Sequence, residues 1–305
     1  GVTDIASYDK IINTEYVMWR PNTEETTPQE LNWMLETQKI LKGKSINSPK
    51  GFLNYHAKEL AFSIWKEIGV PCPDCFEYTD GNDFTSKINF EPPFLIRLNN
   101  QVSGHNSYLI NDEEELNKHF YKLDNEYKQI KSTGVSTTKK ICVKFINTRG
   151  TDGYNKSYRI IVAGDKIVTG YARLSRSDDW IAITEKFTSD MSEDFVRYQK
   201  RCQEICEKYE DVIVKAVKSL GLNLQGVDVI EDTEGNISIL EVQPGFSTGY
   251  LSSGGPFYNP NYPELVKFLT ENEDRLQKEI PMYYNNWLNK ETLFDTIFKN
   301  LKDTL

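Results

Sequence analysis

From residue 54 to residue 68 the apolar side chains Tyr55, Ala57, Leu60, Ala61, Ile64, Trp65 and Ile68 recur at helical spacing, and Gly69 follows where a helix would stop. The pattern predicts one helix over 54–68. After the turn at 71–73, residues 76–79 read as a short strand and Asp80-Gly81-Asn82-Asp83 as a polar loop. Residues 94–98 are apolar enough for a buried strand, and the small, polar stretch 99–107 beyond them is expected to be a flexible loop. An acidic first turn at 112–115 suits the positive end of a helix reaching about residue 130, and 131–140 reads as a polar linker.

The second half turns to strands: 141–146, then 157–163 and 166–174 joined by the turn Gly164-Asp165. Phe195, Tyr198, Cys202, Ile205, Tyr209, Val212, Val214 and Val217 fall near one stripe, which predicts a long amphipathic helix over 192–220 closed by Gly221. Residues 227–231 and 237–243 flank the turn 232–236 as a second hairpin. A Gly- and Pro-rich stretch, 245–263, precedes C-terminal helices, and the chain has no internal repeat.

Composition narrows the class. A chain of 305 residues with 38% hydrophobic content can build a packed core, and its length suggests two lobes around a shared cleft. A net charge of −9, with no compensating basic run, argues against a nucleic-acid partner. No apolar stretch approaches the roughly 18 residues that span a bilayer. The opening Gly1-Val2-Thr3-Asp4 lacks a signal peptide's pattern, so a cytoplasmic protein is expected, with a longer natural N-terminus left open. Five cysteines, an odd number, suggest reduced thiols. Cys72 and Cys75 with Cys202 and Cys206 have the count for a zinc tetrathiolate, but the pairs are far apart and lack a nearby His, which favours a turn and a helix face.

The chemistry concentrates in the second hairpin. Val227-Asp228-Val229 and Leu240-Glu241-Val242-Gln243-Pro244 set polar residues among β-branched neighbours. Period-2 alternation puts Glu241 and Gln243 on one strand face, and a tight hairpin can set Asp228 across from them. Two carboxylates so close repel unless a cation lies between them, and hard oxygen ligands suit Mg²⁺ with a nucleotide's phosphates. The competing reading is a solvent-facing edge.

With the hairpin motif Gly226-Val227-Asp228-Val229 followed by Ile239-Leu240-Glu241-Val242-Gln243-Pro244-Gly245, the order of pieces resembles the ATP-grasp superfamily over most of the chain. It is most similar to carboxylate-amine ligases of the ribosomal-protein glutamate ligase type. The resemblance implies an α+β fold whose two lobes sandwich ATP, with a short N-terminal region (1–53), a small lobe (54–140) and a large lobe with C-terminal helices (141–305). It also implies Mg²⁺ held by Asp228, Glu241 and Gln243, although such families usually carry Asn at the Gln243 position. Arg159, in Ser157-Tyr158-Arg159, and Arg173 fall on the strand pair that carries an essential arginine, and are expected to hold the transferring group. Lys58 and Arg97 occupy the places of two phosphate-contacting lysines. Ser103-Gly104-His105 resembles the loop that closes over the phosphates, and Lys144-Phe145-Ile146-Asn147 the hinge that meets adenine. Only some fifty residues precede Asn54, fewer than the family's usual N-terminal domain.

The function implied is an ATP-dependent ligase that joins a small carboxylate to an amine through an acylphosphate and releases ADP. A small-molecule kinase on the same scaffold and a non-catalytic nucleotide-binding module are the alternatives. Residues 250–256 are the expected acceptor-binding loop.

Overall fold

The computed structural model describes residues 11–21, 26–101, 104–132, 138–176, 187–243, 263–285 and 290–305. They fall into two compact units: residues 1–147 with 219–222, and residues 148–218 with 223–305.

The first unit begins with strand β1 (Tyr16–Met18), helix α1 (Pro28–Ile40) and strand β2 (Lys44–Ile46), and the two strands pair in parallel. Helix α1 starts where Thr27-Pro28-Gln29-Glu30 forms a capping box: the Glu30 amide donates to Thr27 Oγ1 (3.1 Å) and the Thr27 amide to Glu30 Oε2 (2.8 Å). The helix expected over 54–68 is two helices, α2 (Pro49–Tyr55) and α3 (Lys58–Glu67). Between them Ala57 is buried with extended backbone (φ −131°, ψ 130°), and the Lys58 amide donates to the Asn99 carbonyl (3.3 Å). This long-range tie bends the chain where local periodicity alone would run straight on. Gly69 (φ +72°) does terminate α3.

A four-stranded sheet follows in the order β3 (Cys75–Tyr78), β6 (Lys140–Lys144), β4 (Phe94–Leu98), β5 (Ser107–Ile110). Strand β6, expected to open the second lobe, pairs here with both β3 and β4, because its Ile141, Cys142 and Val143 complete this sheet's buried middle. The polar loop expected at 80–83 is the start of helix α4 (Gly81–Lys87), where the Asp80 carboxylate caps the Asn82 and Asp83 amides at 2.9 and 3.0 Å. Phe84 from α4 and Leu123 from helix α5 (Glu113–Ser132) meet Tyr78, Phe94, Ile96, Leu98, Ile110 and Cys142 in the core.

The second unit is built on another antiparallel four-stranded sheet, ordered β10 (Ile237–Gln243), β9 (Leu224–Glu231), β7 (Asn155–Ala163), β8 (Lys166–Ser175). Both expected hairpins are present, and β7 pairing with β9 fuses them. Helix α6 (Ser192–Ser219) follows the predicted stripe but is kinked at Tyr209 (φ −117°, ψ 19°). Its Cys202 and Cys206 are buried over Gly170 of β8, so these thiols are packing groups. Further helices, among them α7 (Pro263–Glu271), α8 (Glu273–Glu279) and α9 (Lys290–Thr304), belong to this unit's described part. At the β7–β8 turn Gly164 (φ +62°) lies against the Asn300 carbonyl of α9, where a Cβ would come within 2.7 Å.

A Cβ at position 170 would lie 2.9 Å from Cys202 Sγ and 3.1 Å from Cys206 Sγ. Gly170→Ala is therefore expected to cost about 1–3 kcal/mol of stability in urea unfolding, as overpacked cores do. Cys202→Ala in the same background should recover part of that loss, a coupling that a double-mutant cycle reads directly.

Candidate active site

Strand β10 does not pair evenly with β9. Ile239 lies opposite Val229, but Glu241 lies opposite Asp228, so Leu240 is an extra residue in a bulge. The bulge matters because side chains alternate between faces: in an unbroken ladder Leu240 would stand beside Asp228, and Glu241 would turn to the other face. With the extra residue, Glu241 and Gln243 share Asp228's face. Register then carries the row across the whole sheet, with Asp228 opposite Arg159 on β7 and Arg159 opposite Tyr171 on β8. Arg173 is two residues beyond Tyr171 and therefore on the same face.

Asp228 is only 7% exposed, yet it carries a full charge. Arg159 binds it twice, through Nε to Oδ1 and through Nη2 to Oδ2 at 2.8 Å, and Arg173 Nη2 lies 2.8 Å from Oδ1. Burial is the largest influence on the Asp228 carboxyl and opposes its ionisation. The Arg159 and Arg173 guanidiniums together outweigh it and hold the group well below the usual carboxylate range. Arg159 responds in the same way, its charge disfavoured by burial but stabilised by Asp228. The row continues outward: Arg159 Nη1 donates to Gln243 Oε1 (3.4 Å), and Gln243 Nε2 donates to Glu241 Oε1. The arginines expected to face a transferring group are thus engaged first with the carboxylate expected to hold metal. Tyr171, which sequence reading passed over, fills the row's β8 end, and burial raises its hydroxyl pKa. The period-2 pattern of β8, with Tyr171 two residues from Arg173, was the available signal.

In the first unit the structure brings Lys58 and Arg97 together. Lys58 Nζ donates to the Gln101 carbonyl at 3.2 Å, and Arg97 Nη2 to the same oxygen at 2.8 Å. Gly104 (φ +74°) and the exposed His105 lie in the turn between β4 and β5, while Ser103 lies outside the described residues. Lys144 ends β6, its amide donating to the Asp74 carbonyl (2.8 Å), and Phe145, Ile146 and Asn147 follow as irregular chain. The expected acceptor loop at 250–256 also lies outside the described residues.

The described chain thus presents two antiparallel sheets, one with paired cations near its end and one with an arginine–carboxylate row. Solved structures agree at the level of fold. Biotin carboxylase from Campylobacter jejuni superposes with a TM-score of 0.54 at 13% identity, covering 78% of this chain and 50% of that one. N5-carboxyaminoimidazole synthetase from Staphylococcus aureus, complexed with ADP, gives 0.52 at 11% identity over 76% and 54%. The ribonucleotide synthetase of the same name from Thermotoga maritima gives 0.50 at 11% identity over 78% and 54%. The chain thus spans about half the length of each. No curated protein matches the sequence. Residues 57–251 match the family described as RimK-like ATP-grasp domain, and the chain belongs to that family. Its members are ligases that use ATP and Mg²⁺.

The residues present fit that metal. Asp228 and Glu241 stand opposite each other on adjacent strands, and their carboxylates with the Gln243 amide are oxygen donors of the kind Mg²⁺ prefers. Among the described residues no cluster of three or more His, Cys, Asp or Glu is placed to hold a metal ion, so any such site here rests on two carboxylates and an amide. Nor is any described helix long and apolar enough to cross a membrane.

Because Arg159 neutralises a buried carboxylate, Arg159→Met should destabilise the protein by about 3–5 kcal/mol in chemical unfolding. Asp228→Asn in that background should restore part of it. The sign of the pH dependence follows from the depressed Asp228 carboxyl: its stabilisation is complete above the ordinary carboxylate value of about 4 and is lost as pH falls below it. In Asp228→Asn this part of the acid limb should flatten, as read by unfolding midpoints between pH 5 and pH 2.

Proposed function

We propose that the chain is an ATP-dependent carboxylate–amine ligase. The γ-phosphoryl group of ATP passes to a substrate carboxylate, an amine displaces phosphate from the resulting acylphosphate, and an amide, ADP and phosphate leave. The observation that carries this reading is Asp228 held by two arginines in one row with Glu241 and Gln243. Phosphoryl transfer asks for fixed positive charge and exact placement more than for a nucleophilic side chain, and this row supplies both.

The two arginines divide the work by exposure. Arg159, with 8% of its side chain exposed, is the fixed member that keeps Asp228 ionised and in place. Arg173, at 20%, is the member placed to turn toward substrate and hold the carboxylate or the transferring group. Bound Mg²⁺ would neutralise phosphate oxygens, with Asp228 and Glu241 as its holders and Gln243 beside them. Lys58 and Arg97 cradle phosphates, backbone at Gly104 and His105 covers them, and the 144–147 segment meets the adenine edge. The five thiols, none in a disulfide, accord with action in the cytoplasm.

The test is ADP release measured against a panel of carboxylates and amines. Release is expected only when both partners are present, and hydroxylamine should trap the activated carboxyl as a hydroxamate. Arg173→Ala should lower kcat about 10²–10³-fold with the fold retained, as removal of one charge-stabilising donor does. ADP release with a hydroxyl acceptor alone would make the protein a kinase, and tight ATP binding without turnover a binding module.

A further inference from the structure

Gln243 is the residue of the row whose chemistry is least obvious, since an amide adds neither charge nor a proton. Its placement is nevertheless specific. It lies opposite Gly226 on β9, which offers no side chain beside it, and Arg159 stands diagonally across on β7, opposite Asp228. Its amide meets a donor at one end and an acceptor at the other: Arg159 Nη1, which can only donate, and a Glu241 carboxylate oxygen. Only one orientation satisfies both neighbours. Turned over, the amide would set N–H against guanidinium N–H and oxygen against carboxylate oxygen. The oxygen is therefore directed to Arg159 and the nitrogen to Glu241.

We infer that Gln243 acts as a positioning residue, a bridge that fixes the Glu241 carboxylate relative to the Arg159–Asp228 pair, rather than as a metal ligand through its amide oxygen. The inference rests on the ligase reading, in which Glu241 holds Mg²⁺. The bridge needs the full length of glutamine, because one amide has to reach both the neighbouring Glu241 on its own strand and Arg159 two strands away. A residue that merely contributed an oxygen would have no such requirement.

The full chain, with Mn²⁺ as the probe in place of Mg²⁺, distinguishes the two roles. Affinity is read by electron paramagnetic resonance, and thermal midpoints are followed in parallel. If Gln243 positions Glu241, Gln243→Asn and Gln243→Met should weaken Mn²⁺ binding to the same degree, about 3–10-fold, with the midpoint little changed. A shortened amide loses the span as completely as a thioether does. Gln243→Asn binding Mn²⁺ like the wild type, with Gln243→Met weakened, would overturn the inference, because the amide oxygen alone would then suffice. A second measurement guards against misfolding of either variant. Arg159→Lys keeps the charge on Asp228 but loses the Nη1 contact, so combining it with Gln243→Met should weaken Mn²⁺ no further than either change alone. Additive losses would also overturn the inference. Failure of the wild type to bind Mn²⁺ at all would instead count against the ligase reading on which the inference rests.

Discussion

A buried carboxylate that stays charged is the constraint around which the second unit is organised. Removing Asp228 from water costs several kcal/mol unless opposite charge meets it in good geometry, and here two guanidiniums do so from two different strands. That requirement fixes which strands must be neighbours: β9 has to lie beside β7, and β8 has to follow in register so that Arg173 reaches the same oxygen atoms. The two hairpins, each local in sequence, are thus tied by a contact that spans about seventy residues of chain. The cost of burying that charge is what gives the row a rigid centre, and a rigid centre is what an electrostatic reaction needs.

The row also explains why exposure differs along it. Arg159 lies in the middle strand and is fully engaged, whereas Arg173 on the edge strand β8 and Glu241 on the opposite edge strand β10 keep contact with their surroundings. A fully engaged ion pair at the centre with more open charged groups at the rim is an arrangement that four strands allow and two would not.

Much of this was legible beforehand. The two hairpins, the long helix α6 and strand β4 follow from alternation and spacing, whereas the sharing of one face by Asp228 and Glu241, though expected, depends on the bulge at Leu240, which alternation does not record. The pairing of Asp228 with Arg159 and Arg173 was not legible, because the β7–β9 neighbourhood is a long-range choice that no local pattern records. The break at Ala57 was missed for the same reason: the Asn99 carbonyl that stops the helix lies some forty residues away. Other misses were avoidable. Thr27-Pro28-Gln29-Glu30 carries the full signature of a capped helix start, and Asp80 ahead of Gly81-Asn82-Asp83 is a cap as readily as a loop. Lys58 and Arg97 stand out in the sequence only through the family resemblance, and the structure brings them to the same carbonyl oxygen.

The bulge at Leu240 gives chain length a meaning of its own in this family member. Whether an acid on β10 joins the Asp228 row or turns to the opposite face of the sheet depends on the parity of the count between Asp228 and Glu241, not on which acid is present. An alignment that moves a gap by one place there would silently exchange the two faces of the strand, and a graft of this hairpin into another scaffold would transplant the acids without their shared face unless the odd residue travelled with them.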